Sequence, residues 1–158
     1  HALIKTKLKE TGAPLAGEMS GHMFFKERWY GFDDALYTGA RLLEIVSRWR
    51  DSNWPLKNLP NAISTPELNI KMQEGEPHAL VAKLREGGRE LLPGARELIL
   101  IDGVRAEYAD GFGLARASNT TPVVVLRFEA DNQAALERIR NEFKTALTAA
   151  WPGIPTDF

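Results

Sequence analysis

The sequence predicts an α+β protein in which a mostly antiparallel sheet carries its helices on one face. Three observations support this fold class. Short apolar, strand-like runs recur in the second half of the chain. Two dipeptides typical of hairpin turns, Asp102-Gly103 and Asp110-Gly111, separate several of these runs. A long amphipathic segment then closes the chain, as expected for a helix packed on the sheet.

Composition limits the functions that need to be considered. The chain has 158 residues, of which 44% are hydrophobic and 26% charged, enough for one domain and part of another. Its 20 basic and 21 acidic residues argue against a nucleic-acid or membrane partner. The absence of cysteine excludes disulfides, thiolate catalysis and Cys-based zinc sites. No apolar run approaches the ~20 residues of a membrane span. We expect a cytoplasmic protein, which the absence of cysteine fits.

The first part of the chain begins with a predicted short helix over residues 2–10, which Gly12 ends. Two short strands follow, at Leu15-Ala16 and at 23–25, on either side of a turn bounded by Gly17 and Gly21. The chain starts with a histidine rather than a methionine, and we expect it to be a piece of a longer protein.

A second helix is predicted to start at Asp33-Asp34, which supply a cap and favourable charge, and to run to about Arg50. Its apolar residues form one stripe, which consists of Leu36, Ala40, Leu43 and Val46. Residues 51–66 carry three prolines and no clean period. We interpret them as a linker and place a boundary near residue 61, which gives domains at 1–61 and 62–158.

The second part alternates strands and helices more clearly. Strands are predicted at 67–72, 97–101, 104–108, 113–115 and 123–128. A helix is expected from Pro77 to about Arg85, and a last one after Asp131. The core stripe of that last helix consists of Leu136, Ile139, Phe143, Leu147 and Ala150.

A polar segment, "RASNTT" at residues 116–121, lies between two of these strands. Its guanidinium, hydroxyls and amide, with backbone N–H groups in a turning segment, are donors that suit phosphate oxygens. Pro122 adds no N–H donor and is expected to start an edge-like strand. The alternative is a surface turn whose Ser, Asn and Thr side chains bond to their own backbone.

A second polar segment, "GEMSGHMFF" at residues 17–25, combines an acceptor, a hydroxyl and a titratable ring. The carboxylate of Glu18 suits two neighbouring sugar hydroxyls, and Ser20 can donate and accept. Gly21 permits a close approach of a ligand or a positive φ. His22 can carry a proton near neutral pH. The alternative is an ordinary polar loop.

The two segments in this order resemble the C-terminal part of the bacterial phosphomannomutase/phosphoglucomutases, of the α-D-phosphohexomutase superfamily. The matching stretches are "GEMSGHMFFKERWYGFDD" and, about 90 residues later, "RASNTTPVVVLRFEAD". The resemblance covers essentially the whole chain. It implies that residues 1–61 are the second half of the α/β third domain. Residues 62–158 would then be the fourth domain, which is TATA-binding-protein-like.

The resemblance also implies roles for individual residues. The sugar-binding loop, with Glu18 on sugar O3 and O4, would comprise Glu18, Met19, Ser20 and Gly21. His22 and His1 match histidines at the family's cleft and are candidate catalytic groups. The loop that holds the phosphate not being transferred would comprise Arg116, Ala117, Ser118, Asn119 and Thr120.

The ligands implied are mannose and glucose 1- and 6-phosphates and the 1,6-bisphosphate. The family's phosphoserine loop, its Mg²⁺ loop and the first half of the third domain are missing, so we expect the fragment to be inactive. Its partners would be the missing N-terminal domains, in a monomer without nucleic acid or membrane. Two alternatives remain: a truncated phosphoglucosamine mutase, and a non-enzymatic TATA-binding-like module.

Overall fold

A computed structural model describes residues 2–18, 20–59 and 62–158. Backbone contacts divide the chain into two compact units, residues 1–60 (unit 1) and residues 61–158 (unit 2).

Unit 1 combines helices with a single hairpin. Its elements in chain order are α1 (Ala2–Thr11), β1 (Leu15–Gly17), β2 (Met23–Phe25), α2 (Ala35–Val46) and α3 (Trp54–Lys57). The strands β1 and β2 pair antiparallel, with Gly17 opposite Met23. The predicted first helix and the predicted hairpin are therefore confirmed.

Helix α2 starts where the acidic pair predicts but ends earlier than expected. The Asp34 side chain accepts a hydrogen bond from the Tyr37 backbone N–H at 2.9 Å, which satisfies a donor of the first turn. The helix ends at Val46 rather than near Arg50. Beyond it, the backbone N–H of Arg48 bonds to the carbonyl three residues earlier, at 3.2 Å, so the last turn tightens out of α-geometry.

The apolar stripe of α2 faces solvent. Leu36 is 88% exposed and Leu43 is 67% exposed, and no residue of α2 is buried. The helix instead turns Tyr37 toward the segment around the hairpin, where its ring meets Phe25 edge-on at 5.3 Å and stacks on Trp29 at 4.2 Å. The aromatic contacts of Tyr37, together with the ion pairs Arg41–Glu27 and Arg28–Glu44, therefore hold this helix within unit 1.

Residues 51–66, interpreted as a linker, contain two short elements that the sequence analysis did not predict. The short helix α3 forms there with Pro55 in its first turn. A two-residue strand, Ile63–Ser64, also forms and pairs with the strand that contains Ala130. Proline is compatible with a first helical turn, so its presence did not exclude a helix.

Unit 2 is a six-stranded antiparallel sheet with two helices. Its elements are β3 (Ile63–Ser64), β4 (Leu68–Lys71), α4 (Glu76–Leu91), β5 (Glu97–Ile99), β6 (Val104–Glu107), β7 (Gly111–Ala117), β8 (Val123–Ala130) and α5 (Gln133–Ala150). The strand order is β3-β8-β7-β6-β5, and β4 also pairs with β8. Helices α4 and α5 pack against the sheet. The predicted α+β class, with its antiparallel sheet and helices, is confirmed.

Alternation along the strands places the core of unit 2 between the sheet and its helices. On β8, Val124, Leu126 and Phe128 are at most 1% exposed and face the helices. The predicted stripe of α5 is buried as expected. Phe143 of this stripe is fully buried and meets the Phe128 ring edge-on at 5.3 Å. Side chains at the other strand positions point to the outer face of the sheet.

Two details of unit 2 differ from the sequence prediction. The strand after Pro122 is central in the sheet rather than edge-like. The proline precedes β8, so the strand does not need an N–H donor from it. The Pro122 carbonyl accepts a hydrogen bond from the Met72 N–H at 2.9 Å. Helix α4 reaches Leu91 rather than Arg85, but it consists of two helical segments that meet at a kink at Gly88, which has φ 46°. A glycine can adopt that conformation, so the helical hydrogen bonding resumes after it.

Candidate functional site

The polar loop of unit 1 connects the two strands of the hairpin. Its backbone is closed by hydrogen bonds from the Glu18 N–H to the His22 carbonyl, at 2.9 Å, and from the Gly21 N–H to the Glu18 carbonyl, at 3.0 Å. Gly21 has φ 91°, a conformation that favours glycine. The turn therefore brings the side chains of residues 18, 20 and 22 to one place.

A chain of side-chain hydrogen bonds links these residues. The Ser20 hydroxyl donates to Glu18 Oε2 at 3.0 Å and lies 2.9 Å from His22 Nδ1. Because the hydroxyl has one proton and gives it to the carboxylate, His22 Nδ1 must donate to the Ser20 oxygen. This arrangement sets the tautomer of the imidazole and orients the carboxylate.

His22 also lies near a second carboxylate. Its Nε2 is 3.8 Å from Asp33 Oδ2, and its Nδ1 is 3.8 Å from Glu18 Oε2. A protonated imidazole would thus be within ion-pair distance of carboxylates on both sides. Asp33 was predicted only as a helix cap, but Asp34 is the cap, and Asp33 accepts the Met23 N–H at 3.3 Å beside the loop. Sequence reasoning missed this role of Asp33.

Two residues predicted for this site, His1 and Met19, lie outside the described residues. Their assigned roles stay predictions.

The polar segment of unit 2 forms a tight turn between β7 and β8. The Ser118 N–H bonds to the Val123 carbonyl at 3.0 Å. The Ser118 hydroxyl accepts from the backbone N–H groups of Thr120 and Thr121, both at 3.3 Å. The segment is thus the self-bonded turn of the alternative interpretation. These side-chain bonds are long, so the same N–H groups can exchange Ser118 for a ligand oxygen.

Arg116 ends the outer face of β7 immediately before this turn. Its side chain is 43% exposed, and its Nη1 lies 3.3 Å from Asp102 Oδ2. The guanidinium carries five N–H donors, so this contact leaves most of them for a ligand. The contact with Asp102 holds the Arg116 guanidinium near the turn, and Asp102 itself is not part of the turn.

A groove of about 710 Å³ on the outer face of the sheet brings part of the predicted phosphate site together. Arg116, Ser118 and Thr120 all line it. Asn119 does not: it borders a neighbouring cavity of about 90 Å³ together with His78 of α4, and Ser118 and Thr120 line this cavity as well as the groove. The Ala117 side chain is buried, so any ligand contact of this residue comes from its backbone.

The groove also has a wall that sequence reasoning missed. Asn69 and Lys71 of β4, with Glu67 just before it, line the groove opposite the polar segment. The sequence did contain a signal for this wall, because polar and apolar residues alternate over 67–72. Leu68 and Ile70 point inward, which leaves Asn69 and Lys71 on the outer face.

The described residues include no cluster of three or more His, Asp or Glu that could hold a metal ion. The Mg²⁺ that the resemblance implies stays a prediction. None of the helices in the described ranges has the length and hydropathy that crossing a membrane requires.

Two family models match the chain. The model described as "Phosphoglucomutase/phosphomannomutase, alpha/beta/alpha domain III" covers residues 1–63. The model described as "Phosphoglucomutase/phosphomannomutase, C-terminal domain" covers residues 67–146.

Relatives of known name agree with these matches. A phosphoglucomutase of Neisseria meningitidis is 57% identical over 96% of this chain. A phosphomannomutase/phosphoglucomutase of Pseudomonas aeruginosa is 53% identical over the whole chain. A crystal structure of a phosphoglucomutase/phosphomannomutase family protein from Burkholderia thailandensis is 61% identical, with a TM-score of 0.89 over 98% of this chain and 32% of its own.

The chain spans 34% of the length of each of these two named relatives. The matched domains cover both polar loops. The chain therefore belongs to the phosphoglucomutase/phosphomannomutase family, of which it contains residues matching domain III and the C-terminal domain.

Proposed function

We propose that this chain is the part of a phosphomannomutase/phosphoglucomutase that binds the sugar hydroxyls and the phosphate that is not being transferred. The observation that carries the proposal is the groove of unit 2, in which Arg116, Ser118 and Thr120 meet. Its volume lies in the range typical of small-molecule sites. The full enzyme would interconvert hexose 1-phosphates and 6-phosphates through a bisphosphorylated sugar.

A site of this kind suits a substrate that must bind in two orientations. In the proposed reaction the bisphosphorylated sugar turns over, and each phosphate in turn becomes the one that is held. Binding of the idle phosphate by Arg116 would position the other end of the sugar for in-line transfer. Sugar O3 and O4 nearly exchange places in that rotation, so the single carboxylate of Glu18 would serve both orientations.

His22 is the proposed proton-transfer group. Its Nδ1 is held by Ser20, at 2.9 Å, and this contact fixes which nitrogen faces away from the serine. A fixed tautomer is what a general acid or base needs, because the proton must leave or arrive at one defined atom.

Two observations weigh against the alternatives. A protein named probable phosphoglucosamine mutase, from Methanocella arvoryzae, is only 26% identical to this chain, against 57% and 53% for the relatives above. The outer face of the sheet carries acidic as well as basic side chains, such as Glu67 and Glu107, which a nucleic-acid platform would avoid.

The rest of the activity is proposed for the longer protein. The nucleophile and the Mg²⁺ site would lie in its other domains, and this chain alone would bind substrate without turnover. The substrates would be mannose and glucose 1- and 6-phosphates and the 1,6-bisphosphate. We further propose a cytoplasmic monomer.

Calorimetric titration of the chain tests the proposal. We expect weak, saturable binding of mannose 1-phosphate and no detectable binding of mannose at the same concentrations, because the phosphate supplies the charge that Arg116 recognises. N-acetylglucosamine 1-phosphate is the competitor for the phosphoglucosamine alternative. Equal binding of mannose and mannose 1-phosphate, or binding of neither, would overturn the proposal.

A further inference from the structure

Lys71 lies on the wall of the groove that faces the polar segment. In the β4–β8 ladder it is opposite Val123, and on the other side of β8 the Ser118 N–H bonds to the same Val123 at 3.0 Å. Lys71 and Ser118 thus flank one residue of β8. Neighbouring strands are about 4.8 Å apart, so their backbones lie about 10 Å apart across the groove.

The direction of the Lys71 side chain follows from its neighbour. Ile70 is only 5% exposed and belongs to the core, so Lys71 projects from the opposite face of the strand. Arg116 projects from the same outer face, because Ala115 and Ala117 on either side of it are buried. Both cations line one groove. A ligand that sits between them is within reach of the flexible four-carbon stem of lysine.

The charges around the groove distinguish Lys71 from the other ions. Arg116 is paired with Asp102 at 3.3 Å, and Glu67 is paired with Arg127 at 3.6 Å. Within the described ranges, Lys71 has no carboxylate within ion-pair distance. A phosphate monoester carries nearly two negative charges at neutral pH. The positive charge of Arg116 is already balanced by Asp102, so it can neutralise only part of the charge of the phosphate. Lys71 is a nearby cation whose charge no carboxylate in the described ranges balances.

We propose that Lys71 is a substrate-positioning residue that contacts the phosphate held by Arg116 and the polar segment. The inference rests on the proposed function, since it names a further contact of the same site. The phosphate then has a cation on each side: a guanidinium on β7 and an ammonium on β4. Two cations on separate strands fix the position of the phosphate along the groove and also balance its charge.

The test is the affinity of the 158-residue chain for mannose 1-phosphate and for inorganic phosphate. Lys71→Ala should weaken binding of both by about tenfold, because a charge-assisted contact is lost. Lys71→Arg should restore most of the affinity. Lys144→Ala, on the helical layer, is the matched control that removes the same charge and should leave the affinity unchanged. Backbone amide spectra establish that each variant is folded.

A second measurement distinguishes direct contact between Lys71 and the phosphate from a long-range effect of the lysine charge. With ¹³C-labelled lysine, the ε-CH₂ resonance of Lys71 should shift on addition of mannose 1-phosphate, and that of Lys144 should not. An unchanged affinity in Lys71→Ala, with binding lost in Arg116→Ala, would overturn the inference and leave the proposed function standing. Absence of phosphate binding in the unmodified chain would overturn both.

Discussion

The two units differ in how much of their apolar surface they bury. Among its described residues, unit 2 has a core cluster of 21 buried residues between its sheet and helices. In the described part of unit 1 only Leu8, Phe24 and Phe25 are buried hydrophobic residues. Of the 14 large hydrophobic side chains that are exposed in the described ranges, 12 belong to unit 1. Unit 2 therefore holds its own fold, while unit 1 leaves apolar surface that a partner segment would have to cover.

The same difference applies to the two polar loops. The polar segment of unit 2 is built on β7 and β8, two paired strands of the sheet whose inner face packs against the helices. The polar loop of unit 1 is built on a hairpin of three-residue strands. A loop on a rigid sheet is preorganised for a ligand, whereas a loop on an isolated hairpin is less so. We expect the phosphate contacts to dominate binding to this chain.

The largest expected effect is on the core of unit 2. Phe143→Ala should lower the free energy of unfolding by about 3–5 kcal/mol, because it empties the space between α5 and the sheet. Phe32→Ala in unit 1 is the matched control. That ring is 48% exposed, and its loss should cost less than about 1 kcal/mol. Urea titrations followed by circular dichroism measure both. Equal losses would contradict the distinction between the units.

Binding should show the next largest effect. Arg116→Ala should weaken mannose 1-phosphate binding by about 30-fold, since charge-assisted hydrogen bonds contribute about 1.5–3 kcal/mol. Glu18→Gln, in the less supported loop of unit 1, should weaken it by less than about threefold. Calorimetry on both variants gives the ratio. A larger loss in Glu18→Gln would reverse the ranking of the two loops.

Two glycine substitutions should change stability with opposite signs. A Cβ on Gly113 would clash with the Phe143 ring, so Gly113→Ala should cost about 1–3 kcal/mol. Gly39 is in helix α2 and has open space around it, so Gly39→Ala should stabilise unit 1 by about 0.5–1 kcal/mol. Thermal unfolding of the two variants provides the comparison. A neutral Gly113→Ala would show that the core of unit 2 is looser than described.

Alkaline pH should selectively weaken unit 2. Burial, together with the nearby Glu142 carboxylate, raises the pKa of Tyr108 well above its usual value. A tyrosine in the unfolded chain ionises near pH 10 while Tyr108 in the folded chain stays neutral, so stability is present below about pH 10 and falls above it. Tyr108→Phe should reduce this loss. Unfolding titrations between pH 8 and 11 measure it, and identical slopes in both proteins would contradict this explanation.

Sequence patterns predicted unit 2 better than unit 1 for a physical reason. The stripe of α5 and the hairpin signals at Asp102 and Asp110 report local preferences that the closed core reinforces. The stripe of α2 is as regular, yet Leu36 and Leu43 are exposed. Periodicity shows that a helix has an apolar face, and it does not show whether the same chain covers that face.

The candidate site was also only partly predictable. The residues of the polar segment follow one another in the sequence, so Arg116 and Ser118 could be recognised together. Lys71 and Asn69 reach the groove through the pairing of β4 with β8, across more than 40 residues of chain. Asn119 borders neighbouring cavities rather than the groove, which spacing along the sequence does not determine.

The most direct test of the central claim is an amide chemical-shift titration of the ¹⁵N-labelled chain with mannose 1-phosphate. We expect concentration-dependent shifts at residues 116–121 and at Lys71. The hairpin turn of Asp110, which belongs to the same sheet but lies outside the groove, should show no shifts. Unshifted amides at 116–121, at concentrations where calorimetry reports binding, would contradict the claim that this segment holds the phosphate.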